Sequence, residues 1–128
     1  MNHDASAPSA TTERGIRVAL CFALAAERLS AYYEHGQWLN EAQGASLAAD
    51  WLSRSKRTLP LHERRQLSAT SDQLARQIAA TLSREAGLYT AHEMMESLDP
   101  RYHSEIALSL MAECERLLSD QVDDYPTP

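Results

Sequence analysis

Glycine, lysine and cysteine are scarce in this 128-residue sequence. The shortages of glycine and cysteine each argue against a particular kind of binding site. Only four glycines occur, all of them isolated, so there is no glycine-rich loop of the kind that holds phosphates. The two cysteines, Cys21 and Cys114, lack the C-x-x-C spacing of a zinc site. Their apolar neighbours indicate buried thiols, with a disulfide possible only in an oxidising compartment. The single lysine against eleven arginines indicates a GC-rich, bacterial genome.

Motifs for catalysis and metal binding are also missing. No serine stands in a G-x-S-x-G elbow, and neither cysteine has a histidine close in sequence. His92 and Glu96 could supply two metal ligands from one helix face, but the second histidine of an H-E-x-x-H motif is absent. The Glu-x-x-His pairs of a di-iron bundle are absent too. We therefore predict no enzyme, no cofactor and no metal site; a metal-binding bundle enzyme is the least favoured alternative.

Long hydrophobic segments are absent as well. The apolar run 18–26 is far too short to span a bilayer. Arg14 and Arg17 precede it, as in a signal peptide, but Asp4 and Glu13 also precede it and the run continues into a helical pattern. These features favour a cytoplasmic protein with no membrane partner.

The composition is that of one globular domain. Hydrophobic residues make up 44% of the chain and charged residues 23%, which is enough to bury a single core. No stretch shows sustained β alternation, and glycine and proline fall where helices end. The pattern predicts an all-α fold, a compact bundle of four long helices and one short helix over 12–122. Residues 1–11 and 123–128 are predicted to be flexible tails.

The first two helices are expected to form the centre of the bundle. The first, over 12–35, has apolar residues on every side and ends at Gly36, a suitable C′ residue. The second spans about 37–57, and Gly44 within it indicates a bend or a close helix contact. Its predicted apolar stripe is Trp38, Ala42, Ala45, Ala49 and Leu52, widened by Leu47 and Trp51.

The remaining helices are predicted from one amphipathic stripe and two capping signals. After the break at Leu59-Pro60, a peripheral helix over 61–86, closed by Gly87, should bury Leu67, Leu74, Ala75, Ile78 and Leu82. A capping box at 90–93 opens the short helix to Leu98. Asp99-Pro100 then opens the last helix, which should turn inward Ile106, Leu110, Cys114, Leu117 and Leu118 and end near Val122.

Charge is concentrated in a basic window, residues 54–65, of an otherwise acidic chain. The window holds five of the 12 basic residues and one of the 18 acidic residues, in a chain whose net charge is −6. Its cations are Arg54, Lys56, Arg57, Arg64 and Arg65. Such a window can be an ordinary solvated surface, a contact for an acidic protein, or a contact for nucleic-acid phosphates.

Helix dipoles divide these five cations. Arg54, Lys56 and Arg57 are expected in the last turn of the second helix, where cations stabilise the negative end of the dipole. Arg64 and Arg65 are expected near the start of the third helix, where the dipole disfavours them. They are therefore the better candidates for contact with a partner.

A second candidate surface is the wide apolar arc of the second helix. Leu47 and Trp51 are either packed between two neighbouring helices or partly exposed as a docking patch. We predict a non-catalytic protein that acts through protein–protein contacts, as an adaptor, an inhibitor or immunity-type protein, or a small subunit. Arg64, Arg65, Leu47 and Trp51 would bind the partner, and homo-oligomers are possible. The alternative is a nucleoprotein subunit that binds phosphates through the basic window.

Overall fold

The protein is an all-α bundle, as the sequence pattern predicts. A computed structural model describes residues 13–123, so both predicted tails lie essentially outside the described residues. The helices are α1 (Glu13–His35), α2 (Glu41–Arg54), α3 (Leu61–Thr81), α4 (Arg84–Glu96) and α5 (Glu105–Asp123), with a 3₁₀ turn at Pro100–Tyr102 before α5.

Helix α1 is the central element of the bundle. It packs against each of the other four helices, because its middle is apolar around the whole circumference. Every residue from Leu20 to Ala26 is buried, which confirms the predicted central position. The helix ends at Gly36, whose φ of +73° is the left-handed conformation expected at C′.

The two cysteines meet in this core as free, buried thiols. A hydrogen bond with Cys21, and then burial, raise the pKa of Cys114 well above its ordinary value. Both features keep the Cys114 thiol protonated at neutral pH.

No helix within residues 13–123 combines the length and the apolar character needed to cross a membrane.

Helix α2 starts later than predicted. Asn40 is its N-cap, because the Asn40 side chain accepts the N–H of Gln43 at 2.8 Å and the Gln43 side chain accepts the N–H of Asn40 at 2.9 Å. Its predicted stripe is correct only in part. Leu52 is buried as expected, together with Gly44 and Ala48, whereas the predicted Ala42, Ala45 and Ala49 are exposed.

The predicted single helix over 61–86 is two helices. The chain becomes extended at Leu82 and exposes its side chain, and Ser83 caps α4 by accepting the N–H of Ala86. Thr90 is therefore inside α4, where its hydroxyl donates to the carbonyl of Ala86 at 2.8 Å, and the predicted capping box is wrong. The apolar periodicity alone predicts that α3 continues past Leu82. Ser83, directly after this residue, instead caps the start of a new helix.

Gly87 is not a helix terminus but a packing position within α4. A β-carbon there would overlap the ring and hydroxyl of Tyr33 on α1. The Tyr33 hydroxyl is buried and finds no hydrogen-bond partner within residues 13–123, and burial raises the pKa of Tyr33. Gly87 thus allows α4 to approach α1 closely.

The start of α5 also differs from the prediction. Asp99 caps only the 3₁₀ turn, by accepting the N–H of Arg101. Ser104 accepts the N–H of Ala107 at 3.1 Å, so α5 begins at Glu105. The buried face is Ala107, Met111, Cys114 and Leu117, with Leu110 and Leu118 partly buried, whereas Ile106 is 46% exposed.

Replacement of Gly87 tests this close contact. Alanine in a helix interior is ordinarily more favourable than glycine by about 1 kcal/mol. At position 87 we expect Gly87→Ala to lower the free energy of unfolding by about 1–3 kcal/mol, because the rigid Tyr33 ring must move. Urea denaturation followed by circular dichroism measures this. Ala112→Gly, on the exposed face of α5, is the control and measures the ordinary difference between alanine and glycine in a helix. If Gly87→Ala instead raises the free energy of unfolding by as much as Ala112→Gly lowers it, no overlap exists at position 87.

Candidate binding cleft between α2 and α3

An open cleft of about 830 Å³ separates the exposed face of α2 from α3. Its size is within the range of ligand-binding sites, about 300–1,000 Å³. Small and apolar side chains form much of its surface: Leu39, Ala42, Ala45, Ala48, Leu61 and Ala69. Four arginines also line it, Arg28, Arg64, Arg65 and Arg76, together with the acidic residues Glu41 and Asp72.

Arg28 forms the base of the cleft and is the most buried charged residue described. It projects from α1 with only 3% of its surface exposed. Its guanidinium donates to the hydroxyls of Ser71 (3.1 Å) and Ser68 (2.7 Å) and to a carboxylate oxygen of Asp72 (3.2 Å). These three acceptors lie on one face of α3 because they are three and four residues apart. Burial lowers the pKa of Arg28, and the negative charge of Asp72 opposes this shift.

Gly44 brings α2 against the same guanidinium. A β-carbon at position 44 would overlap one terminal nitrogen and the central carbon of the Arg28 guanidinium. Of the two explanations for Gly44, a bend or a close contact, the structure shows the close contact. Arg28 therefore holds three helices together: it starts on α1, bonds to α3 and packs against α2.

Asp72 and Arg76 extend this network along α3. The second carboxylate oxygen of Asp72 accepts from Nε of Arg76 at 2.9 Å. The Arg76 guanidinium also lies over the ring of Trp38, 4.9 Å from its centroid. Trp38 in turn stacks on Tyr32 with ring centroids 4.1 Å apart and planes 6° apart. Arg76 is thus oriented from two sides, while its terminal nitrogens form no bond within residues 13–123.

Arg64 and Arg65 line the other end of the cleft without ion-pair partners among the described side chains. The Nε atom of Arg64 is buried and has no hydrogen-bond partner among the residues that the structure describes. Their one acidic neighbour in sequence, Glu63, faces Arg17 of α1 at 3.7 Å. The first turn of α3 also lacks a side-chain cap, because its N-cap residue is Pro60. Within residues 13–123, no ion pair compensates the positive charge of these two arginines.

The other cations of the basic window lie outside the cleft. Arg54 is in the last turn of α2 as predicted, and it pairs with Asp50 at 2.8 Å. Lys56 and Arg57 are not in that turn. They follow it as C′ and C″ of a Schellman motif, in which their N–H groups bond to the carbonyls of Ser53 and Leu52. Lys56 therefore has a φ of +56°.

Leu47 and Trp51 do not line the cleft. Both are half-buried and pack against the core. The indole N–H of Trp51 donates to the carboxylate of Glu27 on α1, and Arg54 lies over its ring at 4.3 Å. The four residues predicted to bind a partner thus occupy two separate places, with Arg64 and Arg65 on the cleft and Leu47 and Trp51 against the core. Their contact with a partner stays a prediction.

Several residues of the cleft were not identified from the sequence. Arg28 carried one usable signal, since it is a charged residue at a position where the apolar pattern of α1 expects burial. Gly44 carried another, which was recognised without its partner. Asp72 and Arg76 carried none, because their contacts with Arg28 and Trp38 join positions that are far apart in the chain.

His92 and Glu96, the pair considered as metal ligands, are exposed and face each other at 3.4 Å. Within the described part of the chain, no three histidine, cysteine or acidic side chains are grouped suitably to hold a metal ion. The cleft lining has neither histidine nor cysteine.

Comparisons with protein families, curated proteins and solved structures gave no match to this chain.

Removal of the buried guanidinium tests its structural role. We expect Arg28→Ala to lower the free energy of unfolding by about 3 kcal/mol, because two serines and Asp72 lose their donor in a buried site. Arg54→Ala is the matched control. Arg54 is half-exposed, so its ion pairs are worth at most about 1 kcal/mol. Chemical denaturation compares the two, and equal losses would contradict the assigned role of Arg28.

The left-handed residue at the end of α2 gives a second stability test. Glycine adopts positive φ without the steric cost that a side chain imposes, so Lys56→Gly should raise the free energy of unfolding by up to about 1 kcal/mol. Lys56→Ala removes the same charge but keeps a β-carbon. Thermal denaturation should therefore show a gain for glycine and none for alanine.

Proposed function

We propose that this protein is a non-catalytic binding module that holds an acidic segment of another protein in the cleft between α2 and α3. The observation that carries this proposal is the uncompensated charge of Arg64 and Arg65 on a concave surface. Arg28 and Arg54, in contrast, are paired with Asp72 and Asp50. Two unpaired guanidiniums beside an uncapped helix terminus attract a carboxylate with little cost in lost internal contacts.

The acidic character of the rest of the chain supports this assignment. With a net charge of −6, most of the surface repels an acidic partner, so such a partner is directed to the one place where cations gather. An adaptor, an inhibitor or immunity-type protein, or a small subunit of a complex would all act by this surface complementarity. We place Leu47 and Trp51 in a second, apolar contact with the partner, beside rather than inside the cleft.

The same module is proposed to act in the cytoplasm of a bacterium. Two buried, reduced thiols are compatible with a reducing compartment. The high arginine content is the basis for the bacterial origin.

Charge reversal within one window tests the proposed site. The double variant Arg64→Glu/Arg65→Glu should weaken binding of the native partner at least tenfold, because it puts like charges opposite each other. Lys56→Glu/Arg57→Glu is the matched control: it changes the same net charge in the same window but outside the cleft. The measurement is affinity capture from the source organism, partner identification by mass spectrometry, and titration of the purified partner.

A nucleoprotein subunit is the competing function, and one observation favours it. Lys56 and Arg57 also lack ion pairs within the described residues, so four unpaired cations flank the loop between α2 and α3. Phosphate binding of this kind falls steeply with salt. If a labelled oligonucleotide binds at low salt and both double variants weaken it equally, the phosphate-binding function replaces the proposed one.

A further inference from the structure

We infer that the acidic segment received by the cleft is an α-helix with two acidic positions eleven residues apart, one facing Arg65 and one facing Arg76. This inference rests on the proposed function, since it specifies the shape and charge spacing of the same partner. It is carried by the positions of the cations along α3, the small side chains between them, and the donors that each cation leaves free.

The two cations lie on one line along α3. Arg65 and Arg76 are eleven residues apart, which at 3.6 residues per turn returns to nearly the same face of the helix after three turns. At 1.5 Å per residue, the distance between them along the axis is about 16 Å. Ala69 and Asp72 lie between them on that face, and all four residues line the cleft.

Small side chains occupy the space between these cations. Ala42 and Ala45 of α2 face the cleft from one side and Ala69 of α3 from the other. Packed helix axes lie about 8–10 Å apart, and the distance depends on the side chains at the contact. The middle of the cleft therefore suits a third helix that packs against both walls, while the long arginine side chains stand at its ends.

The donors left free differ between the two ends. At one end Arg64 and Arg65 are both without ion-pair partners in the described part of the chain, and the adjoining first turn of α3 has no side-chain cap. At the other end Arg76 uses Nε for Asp72 and rests on Trp38, which leaves its terminal N–H groups as donors. Asp72, between them, already accepts from two arginines, so the partner should be uncharged opposite it.

A helix and an extended peptide make different demands on the partner sequence. An extended segment advances about 3.3 Å per residue, so it would bridge about 16 Å with acidic residues five positions apart. A helical segment would bridge the same distance with acidic residues eleven positions apart. The spacing of the acidic residues therefore distinguishes the two shapes in a single comparison.

The probes are two 18-residue peptides of alanine and glutamine, acetylated and amidated, each with two glutamates. The glutamates are eleven positions apart in one peptide and five apart in the other. Trp51→Phe leaves Trp38 as the only tryptophan, and its contact with Arg76 makes its fluorescence sensitive to binding. Amide chemical shifts of the wild-type protein provide a second readout that does not depend on this substitution.

We expect the peptide with spacing eleven to bind at least tenfold more tightly than the peptide with spacing five. Arg65→Gln and Arg76→Gln should each remove most of this preference, whereas Lys56→Gln, which changes a cation outside the cleft, should not.

Three results would overturn the helical assignment. These are equal affinity for the two peptides, preference for spacing five, and no binding of either at millimolar concentration. In each of these cases the proposed function still stands if Arg64→Glu/Arg65→Glu abolishes binding of the native partner. If the double variant binds the native partner normally, the proposed function and the helical assignment both fail. Sedimentation adds a further test. If the protein self-associates and Arg65→Gln abolishes this association, the occupant of the cleft is a second copy of the chain, which contradicts this inference.

Discussion

The bond network of Arg28 is the interaction on which the arrangement of α1, α2 and α3 depends. A guanidinium in this setting is costly to bury unless its donors are used. Ser68, Ser71 and Asp72 use them, all from one face of α3. This sets the rotation of α3 about its axis, since any other face would leave the charge without acceptors. Gly44 completes the arrangement by allowing α2 to reach the same group.

The rotation of α3 determines what the cleft presents. With Ser68, Ser71 and Asp72 turned towards Arg28, the neighbouring positions Arg65, Ala69 and Arg76 line the cleft. Asp72 is shared by Arg28 and Arg76, which orients Arg76 without neutralising all of its donors. Arg64 and Arg65 lie beyond the reach of this carboxylate. A structural ion-pair network thus adjoins two cations that the fold does not use, and this contrast is the physical basis of the proposed binding site.

The fold could be predicted from the sequence where the signal was local and strong. The burial of α1 follows from its apolar circumference, and its end follows from Gly36. Predictions were wrong where two local signals competed. Gly87 resembled a helix terminus, but Ser83 had already opened α4, and the glycine is required by Tyr33. The alanines of α2 resembled a buried stripe, yet Gly44 and Ala48 face inward because the contact with Arg28 requires a residue without a β-carbon.

The sequence by itself determined the helical class, the central helix and the concentration of charge in the basic window, because periodicity and composition act over one or two helix turns. The predicted division of Arg64 and Arg65 from the other cations rested on the sign of the helix dipole. That reasoning applies to Arg54 but not to Lys56 and Arg57, since both follow the last turn of α2. Only the tertiary structure decided which cations are paired and which residues share a cleft. Arg28 and Asp72 are 44 positions apart, and Trp38, in the segment between α1 and α2, meets Arg76 on α3. Such contacts are set by the packing angle and rotation of whole helices, which local sequence patterns do not contain.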